Sequence, residues 1–317
     1  MTLDTIKEEI EKAEKIVILT HESPDGDAIA SALSVKQALK QMNKESDVII
    51  PEYPSDFSFL PDADKIKKES QIKEYDLGIA VDCSDLKRLV GSEEYFETAK
   101  RTIQIDHHTV NAMFADINYV DPVAPACCQV LIGMFEYLGI EINKEVGTCI
   151  LTGIITDTGG FQYSGVTPET LEFAAEILRK GVNISRICQK VLRNKTKANC
   201  ELTKLLYDRM KFYEDGKIVV SYITLEDLDK VNAQLGDDEG LVEIERDIEG
   251  VEVAVLLKEK ENIGFKASLR SKENVNVSNI CFLLGGGGHP RAAGCMVSGT
   301  LEQVEEKVLN VIKQEMK

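Results

Sequence analysis

Four short apolar runs in the first half of the chain each stop at a cluster of acidic or histidine residues. The runs cover residues 16–19, 77–81, 102–105 and 150–155. Short runs rich in β-branched and aliphatic residues are typical of buried strands in a parallel sheet, so the pattern predicts four strands. In open α/β sheets the ligand crevice lies outside the carboxyl ends of the strands. We therefore expect the polar residues that follow the four runs to meet at one place.

Segments with helical periodicity alternate with these runs. Residues 4–15 predict an opening helix. Residues 28–42 predict a second helix, because Ile29, Leu33 and Leu39 recur at helical spacing. Alternation of strands and helices is the signature of a doubly wound parallel sheet.

The same periodicity predicts three parts in the chain. The α/β pattern extends to residue 187, and its last helix starts with Thr167 as N-cap. A charged helical pattern without Gly or Pro then predicts a helical linker over residues 188–211. Residues 212–317 contain strand-like runs, a glycine tetrad and a final helix. The predicted fold class is α/β, with a doubly wound parallel-sheet domain over residues 1–187, the linker, and a smaller α+β domain.

Composition limits the class of protein. The 317 residues suffice for two ordinary domains, and 43% hydrophobic with 29% charged residues is typical of a globular protein. The sequence has no apolar run long enough for a membrane span, and its charged N-terminus has no signal-peptide core. Eight scattered cysteines without a C-x-x-C pair are typical of buried thiols in a reducing compartment. We expect a cytoplasmic protein that does not bind membranes.

The net charge of −17 restricts the substrates. Duplex binding depends on the neutralisation of many phosphates by Lys and Arg, and the sequence shows no Lys/Arg-rich stripe. The charge therefore argues against long duplex nucleic acid. It favours small or short single-stranded substrates, held by a few cationic side chains and by bound metal.

The residues that follow the four runs share the chemistry of metal ligands. They are His21, Asp25 and Asp27; Asp82; Asp106, His107 and His108; and Asp157. Carboxylates combined with imidazoles suit Mn²⁺ or a similar divalent cation better than a soft thiolate metal. A simpler explanation exists for single members, since an Asx turn at Asp27 could cap the next helix and Asp82 could cap a strand end. The presence of all four clusters favours metal ligands.

Taken in order, these motifs resemble those of the DHH phosphoesterase superfamily. The resemblance rests on His-x-x-x-Asp-x-Asp from His21, on the Asp106-His107-His108 triple, and on Asp-Thr-Gly-Gly-Phe from Asp157. Residues 285–294, Gly-Gly-Gly-Gly-His-Pro-Arg-Ala-Ala-Gly, are similar to the signature of the associated DHHA1 domain. The order and spacing are similar to those of the nanoRNase/pAp-phosphatase branch. The resemblance implies a DHH catalytic domain followed by a DHHA1 substrate-binding domain.

The resemblance also implies two bound divalent cations, Mn²⁺ first, with Mg²⁺ or Co²⁺ as alternatives. One would be held by His21, Asp25 and Asp82, and the other by Asp27, Asp82, His107 and Asp157. It implies that Asp82 bridges the ions and acts in catalysis, and that His108 is a catalytic residue facing the substrate. Asp106 is expected to orient an imidazole rather than to bind metal.

In the C-terminal domain the resemblance implies a site for a substrate phosphate or base. Its residues would be Arg270, Gly286, Gly287, Gly288 and His289. Consecutive glycines can present backbone N–H groups as an anion nest, and Arg suits bidentate phosphate contact. The alternative explanation for the glycines is a flexible hairpin.

One segment departs from the family pattern. After Asp121-Pro122, relatives usually carry a Ser/Thr-rich helix start that faces the substrate, whereas this chain reads Ala126-Cys127-Cys128. Hydroxyl contacts to a phosphate or base are therefore lost or replaced, which leaves the substrate preference within the family open.

The resulting hypothesis is a metal-dependent phosphoesterase that uses a metal-activated water. Its substrates would be very short single-stranded oligoribonucleotides or linear dinucleotides and 3′-phosphoadenosine 5′-phosphate (pAp). The alternatives are a RecJ-like single-strand exonuclease and a non-catalytic nucleotide-binding sensor. A family II pyrophosphatase fits less well, because that branch has a different C-terminal domain. The sequence leaves open whether the chain forms a homodimer.

Overall fold

A five-stranded parallel sheet forms the frame of the first part of the chain in the computed structural model, which describes residues 2–316. The strands are β1 (Ile16–Leu19), β2 (Ser46–Ile49), β3 (Leu77–Val81), β4 (Arg101–Asp106) and β5 (Ile117–Val120). Their order is β2-β1-β3-β4-β5, and every neighbouring pair is parallel. Three of the four predicted strands are confirmed. The order reverses between β1 and β3, where ligands bind in sheets of this type.

Helices cover the faces of this sheet within a unit that spans Met1–Asn194. They are α1 (Thr2–Lys12), α2 (Gly26–Gln41), α3 (Glu93–Glu97), α4 (Cys127–Leu138), α5 (Lys144–Asp157), α6 (Pro168–Arg179) and α7 (Ile184–Cys188). Short 3₁₀ turns occur at Ser55–Phe59, Ala63–Lys65 and Leu86–Arg88, and a π-helical turn at Gln189–Arg193. Helices α2 and α5 are buried along almost their whole length, in the same core as β1, β3 and β4. Thr167 caps α6 as predicted.

The prediction of a strand at residues 150–155 is wrong, because this run is the end of helix α5. In the described stretch 121–194 every regular element is helical, so the strand–helix alternation ends at β5. Helix α5 is buried on nearly all sides, which removes the polar face that would have revealed a helical period. The sequence did contain an N-cap residue for this helix, since the Asn143 side chain caps α5 by accepting from Val146 N.

The second unit, Lys195–Lys317, contains a six-stranded mixed sheet. Its strands are β6 (Lys211–Tyr213), β7 (Ile218–Ile223), β8 (Val253–Lys260), β9 (Gly264–Ser271), β10 (Gly287–His289) and β11 (Ala292–Val297). The order is β10-β11-β9-β8-β7-β6, with only β7 and β8 parallel. This agrees with a smaller α+β domain.

Five helices accompany this sheet. They are α8 (Lys197–Arg209), α9 (Leu225–Lys230), α10 (Leu241–Arg246), α11 (Val277–Leu283) and α12 (Leu301–Glu315). Helices α11 and α12 share one core with the sheet, and α8 and α10 share a core on its other face. The segment 188–211, expected to be a linker, is divided between the units. Its first part belongs to the first unit, and α8 buries Leu202 and Leu206 in the second.

Among the described residues, no helix combines the length and the apolar character needed to cross a membrane.

Candidate active site

The loop between β1 and α2 delivers three of the predicted ligands. His21 is buried, and its Nδ1 lies 2.7 Å from Glu22 O, so Nε2 faces the other way. Asp25 is the N-cap of α2 and accepts from the backbone N–H groups of Asp27 and Ala28 at 3.0 and 3.1 Å. Asp27, in the first turn of α2, is fully buried. The cap of this helix is therefore Asp25 and not Asp27, for which capping was the simpler explanation, and the Asp25 side chain remains partly open on its other edge.

Asp82 follows β3 directly and is the centre of the cluster. Its backbone has φ +51°, a left-handed conformation that Asp tolerates better than most residues. The side chain is 2% exposed, and Oδ1 accepts no hydrogen bond from the described residues. A buried carboxylate oxygen without a donor is costly unless a cation compensates it.

The triple at the end of β4 supplies two imidazoles with fixed ring orientations. His107 Nδ1 lies 3.1 Å from Ala124 O. His108 Nδ1 lies 2.8 Å from Asp106 Oδ1, and Asn111 donates to the other Asp106 oxygen at 2.6 Å. Asp106 is therefore a fully buried residue that orients the His108 ring.

The predicted ligands converge although they come from four separate segments. Nε2 of His107 lies 3.4 Å from Asp82 Oδ1, 3.3 Å from Asp157 Oδ2 and 3.9 Å from Asp27 Oδ2. Nε2 of His21 lies 3.7 Å from the other Asp82 oxygen. Ligand atoms of His21, Asp25 and Asp82 form one group within 4.8 Å, and those of Asp27, Asp82 and His107 form a second. Asp82 belongs to both groups.

Charge crowding in the cluster shifts its proton equilibria. Burial and the neighbouring Asp82 charge raise the pKa of Asp27 to about 7. Burial also raises the pKa of Asp157. Burial alone would raise the pKa of Asp82, but the imidazoles around it, His107 first, hold that pKa well below its usual range. The buried carboxylates therefore lie close together with few protons to neutralise them, and divalent cations would relieve the resulting charge repulsion. The donor set fits bound divalent metal, and so does the buried Asp82 oxygen, which lies within ion-pair distance of two imidazoles but accepts no hydrogen bond from the described residues.

The N-terminus of α4 fixes Asp27 through the main chain. Asp27 Oδ2 accepts from Cys127 N at 2.6 Å, and Oδ1 accepts from Cys128 N at 3.1 Å. These N–H groups belong to the first turn of the helix, where carboxylates are stabilised. Burial raises the pKa of both thiols, Cys127 and Cys128. Sequence reasoning missed this contact, because backbone donors leave no signature in side-chain identity.

Two glycines allow the helices to approach at the cluster. A Cβ at Gly153 of α5 would overlap Cys128 Sγ and the Asp27 carboxylate. A Cβ at Gly26 would lie 2.5–2.8 Å from the Thr156 side chain. Both positions therefore require glycine, since side chains in close-packed interiors cannot give way by that much.

The second unit places Arg270 and His289 on one face of its sheet. Arg270 on β9 is paired in register with Ala292, which is paired with His289 on β10. Arg270 Nε donates to Glu243 Oε1 at 2.8 Å, and its Nη1 donates to Leu269 O at 3.1 Å. No described residue accepts a hydrogen bond from Nη2, so this edge of the guanidinium can serve a ligand.

The glycine tetrad differs from the expected anion nest. Gly285 N donates to Phe282 O at 3.0 Å and Gly286 N to Cys281 O at 2.7 Å, so both amides close the end of α11. The Gly286 amide is therefore not available to the expected anion nest, and the roles of Gly287 and Gly288 stay predictions. Gly286 is needed for another reason, since a Cβ there would overlap Gly294 O of β11. Gly287 and Gly288 belong to the short strand β10.

This combination of a parallel sheet, a histidine–aspartate cluster and a second mixed-sheet unit corresponds to one family. Residues 15–154 match the N-terminal domain of the DHH family, and residues 215–317 match the DHHA1 domain. The chain therefore belongs to the DHH family and carries its DHHA1 domain, which confirms the resemblance found in the sequence.

Its relatives extend the match over the whole chain. A Thermus thermophilus protein named bifunctional oligoribonuclease and PAP phosphatase NrnA is 34% identical over 95% of this chain and 90% of its own length. An exopolyphosphatase-related protein of Bacteroides fragilis has a crystal structure with a TM-score of 0.89, at 30% identity over 99% of this chain and 96% of that chain. RecJ of Thermus thermophilus with Mn²⁺ has a TM-score of 0.57 at 14% identity, with 99% of this chain and 53% of that chain covered. The RecJ match shows a shared fold only.

Proposed function

We propose that the chain is a phosphoesterase that hydrolyses very short oligoribonucleotides and linear dinucleotides to mononucleotides, and pAp to AMP. The observation that carries the proposal is the pair of ligand groups joined at the buried Asp82, in a chain 34% identical to a relative named oligoribonuclease and PAP phosphatase. The net charge of −17 agrees with short substrates held at a few positions rather than along an extended basic surface.

The proposed metal ligands are the six residues of the cluster, with Mn²⁺ as the first candidate. They are His21, Asp25, Asp27, Asp82, His107 and Asp157. Two divalent cations bound there would activate a water and neutralise charge on the phosphoryl oxygens. The chain's own contribution is to fix the ligands before any ion arrives, through the α4 amides at Asp27 and the carbonyls at the histidine rings.

His108 and the second unit are assigned to the substrate. Asp106 holds the His108 ring through Nδ1, and we assign His108 to contact with the reacting phosphate. Arg270, with Nη2 unused by the described residues, and His289 on the same sheet face are assigned to a non-reacting phosphate or base, together with Gly287 and Gly288.

A substrate panel tests the proposal directly. The protein with Mn²⁺ is expected to hydrolyse 5′-phosphorylated dinucleotides, a linear diadenylate and pAp, with kcat/KM falling sharply beyond a pentanucleotide. Chelation of the metal should stop all three reactions. Equal kcat/KM on a strand several times longer would favour a RecJ-like exonuclease. Tight binding of dinucleotides without turnover at saturating Mn²⁺ would favour a nucleotide sensor.

Arg270→Ala should separate phosphate binding from the chemistry. Loss of a charge-assisted phosphate contact costs about 1.5–3 kcal/mol, or roughly ten- to a hundredfold in kcat/KM on a dinucleotide. Most of the loss should lie in KM, because ground and transition states share this contact. Hydrolysis of a small chromogenic phosphodiester without a second phosphate should stay near the parent rate. Arg246→Ala, in the same unit and paired with Asp247, is the matched control. Equal losses of Arg270→Ala on both substrates would instead place Arg270 at the reacting phosphate.

A further inference from the structure

The sheet face that carries Arg270 also carries a second cation. Along β9, Phe265, Ala267 and Leu269 are buried, whereas Lys266 and Arg270 alternate with them and face the other side. The β11 residues on that side, Ala292, Gly294 and Met296, are partly or fully open to solvent. Lys266 and Arg270 therefore share an accessible face, about 13 Å apart at their Cα atoms.

The surface between the two cations is lined by small residues. Ser268 lies between them on β9, and its register partner on β11 is Gly294. Ala292 is the register partner of Arg270. These small residues leave a shallow surface, and the Lys266 stem extends over it, with Cε 4.0 Å from the position that a Cβ of Gly294 would occupy. A nucleoside fits such a surface better than it would fit one with large side chains.

Lys266 has no ion-pair partner among the described residues, in contrast to the cations around it. Lys258, its register partner on β8, is paired with Asp238, and Arg270 is paired with Glu243. Partial desolvation, with the charges of Lys258 and Lys260, lowers the pKa of Lys266, and the Asp238 charge offsets this shift only in part. An unpaired ammonium beside other cations is unfavourable in the protein alone, and an anionic ligand would compensate it.

We propose that Lys266 is a further substrate-binding residue, which contacts a second phosphate of an oligoribonucleotide whose first non-reacting phosphate is bound by Arg270. The inference rests on the proposed function and adds a residue that favours substrates with more than one non-reacting phosphate. Both side chains are long, so they can reach phosphates on either side of one nucleoside.

The test compares Lys266→Met with the parent on 5′-phosphorylated triadenylate and on a small chromogenic phosphodiester. Methionine keeps the apolar stem and removes the charge. We expect kcat/KM on triadenylate to fall roughly tenfold, mainly through KM, with no change on the chromogenic ester. The slope of log(1/KM) against log salt concentration should become shallower by about 0.7, the value for one lost contact to a single strand. Lys266→Arg should restore both quantities.

Lys313→Met is the matched control. It removes one lysine charge from α12, whose apolar side packs in the core on the opposite sheet face, and whose Lys313 is paired with Glu214 at 2.8 Å. An equal loss in this control, an unchanged KM in Lys266→Met, or equal losses on both substrates would overturn the proposal. Turnover by the parent enzyme separates the proposed function from the role of Lys266. If the parent does not turn over triadenylate and pAp, the proposed function fails. If the parent turns them over normally and Lys266→Met has no selective effect, only the role of Lys266 is refuted.

Discussion

Asp82→Asn is expected to lower kcat on dinucleotides by roughly a thousandfold, which corresponds to the several kcal/mol that metal ions contribute to a phosphoryl-transfer transition state. The substitution removes the charge that both ligand groups share and nearly preserves the side-chain shape. Asparagine is preferable to alanine here, because the φ of +51° at this position suits Asn and strains Ala. The measurement is steady-state kinetics over a range of Mn²⁺ concentrations.

Asp85→Asn is the matched control for Asp82. Asp85 lies three residues further on and accepts from Lys87 N at 3.0 Å as the cap of a 3₁₀ turn. Its replacement should leave turnover at the parent level. Mn²⁺ should also raise the Tm of the parent more than that of Asp82→Asn, a readout that does not depend on catalysis. Near-normal turnover of Asp82→Asn at saturating Mn²⁺ would refute the shared-carboxylate site.

Glu245→Gln is expected to stabilise the second unit at alkaline pH. Glu245 on α10 is fully buried, neither carboxyl oxygen has a hydrogen-bond partner among the described residues, and burial with the nearby Glu243 charge raises its pKa from 4.5 to about 8. The folded state therefore keeps a proton that the unfolded chain releases above pH 4.5. Stability is full below that pH, falls as pH rises towards about 8, and then levels off, with a total loss of roughly 5 kcal/mol.

Glutamine removes this dependence because it carries no titratable proton. Urea unfolding at pH 6 and pH 9, with hydrogen exchange in β7 and β8 as the local measurement, should show a gain for the variant that grows with pH. Glu226→Gln, at an exposed position of α9, should keep the parental profile. A Glu245→Gln gain that is the same at both pH values would show that Glu245 is charged throughout.

The strands that border the site could be predicted because their local pattern is unambiguous. Runs such as residues 16–19 and 77–81 are too short for a buried helix and end abruptly at polar residues. Residues 150–155 carry the same composition, but they continue a helix that starts at Asn143 and is buried on nearly all sides. In residues 150–155, the length of the segment and its N-cap indicated the secondary structure better than hydrophobicity did.

The residues of the histidine–aspartate cluster could be named from the sequence, whereas the groups that hold them in place could not. The order of the motifs identified His107 and Asp157, and His107 Nε2 lies 3.3 Å from Asp157 Oδ2 in the structure. The pairing of Arg270 with Glu243 joins residues 27 positions apart, and no local pattern specifies it. Contacts of this kind arise from tertiary packing, which periodicity and turn chemistry do not describe.

The way in which α4 holds Asp27 has a consequence for how this segment can evolve. Every amino acid except proline brings a main-chain N–H, so exchanges among small residues that fit the two buried positions 127 and 128 keep both hydrogen bonds to Asp27. A pair of cysteines can thus occupy the positions where the family resemblance implied hydroxyl residues, while Asp27 keeps both donors. Proline at residue 127 or 128 is the change that drift cannot tolerate there, since either substitution would delete one of the two donors.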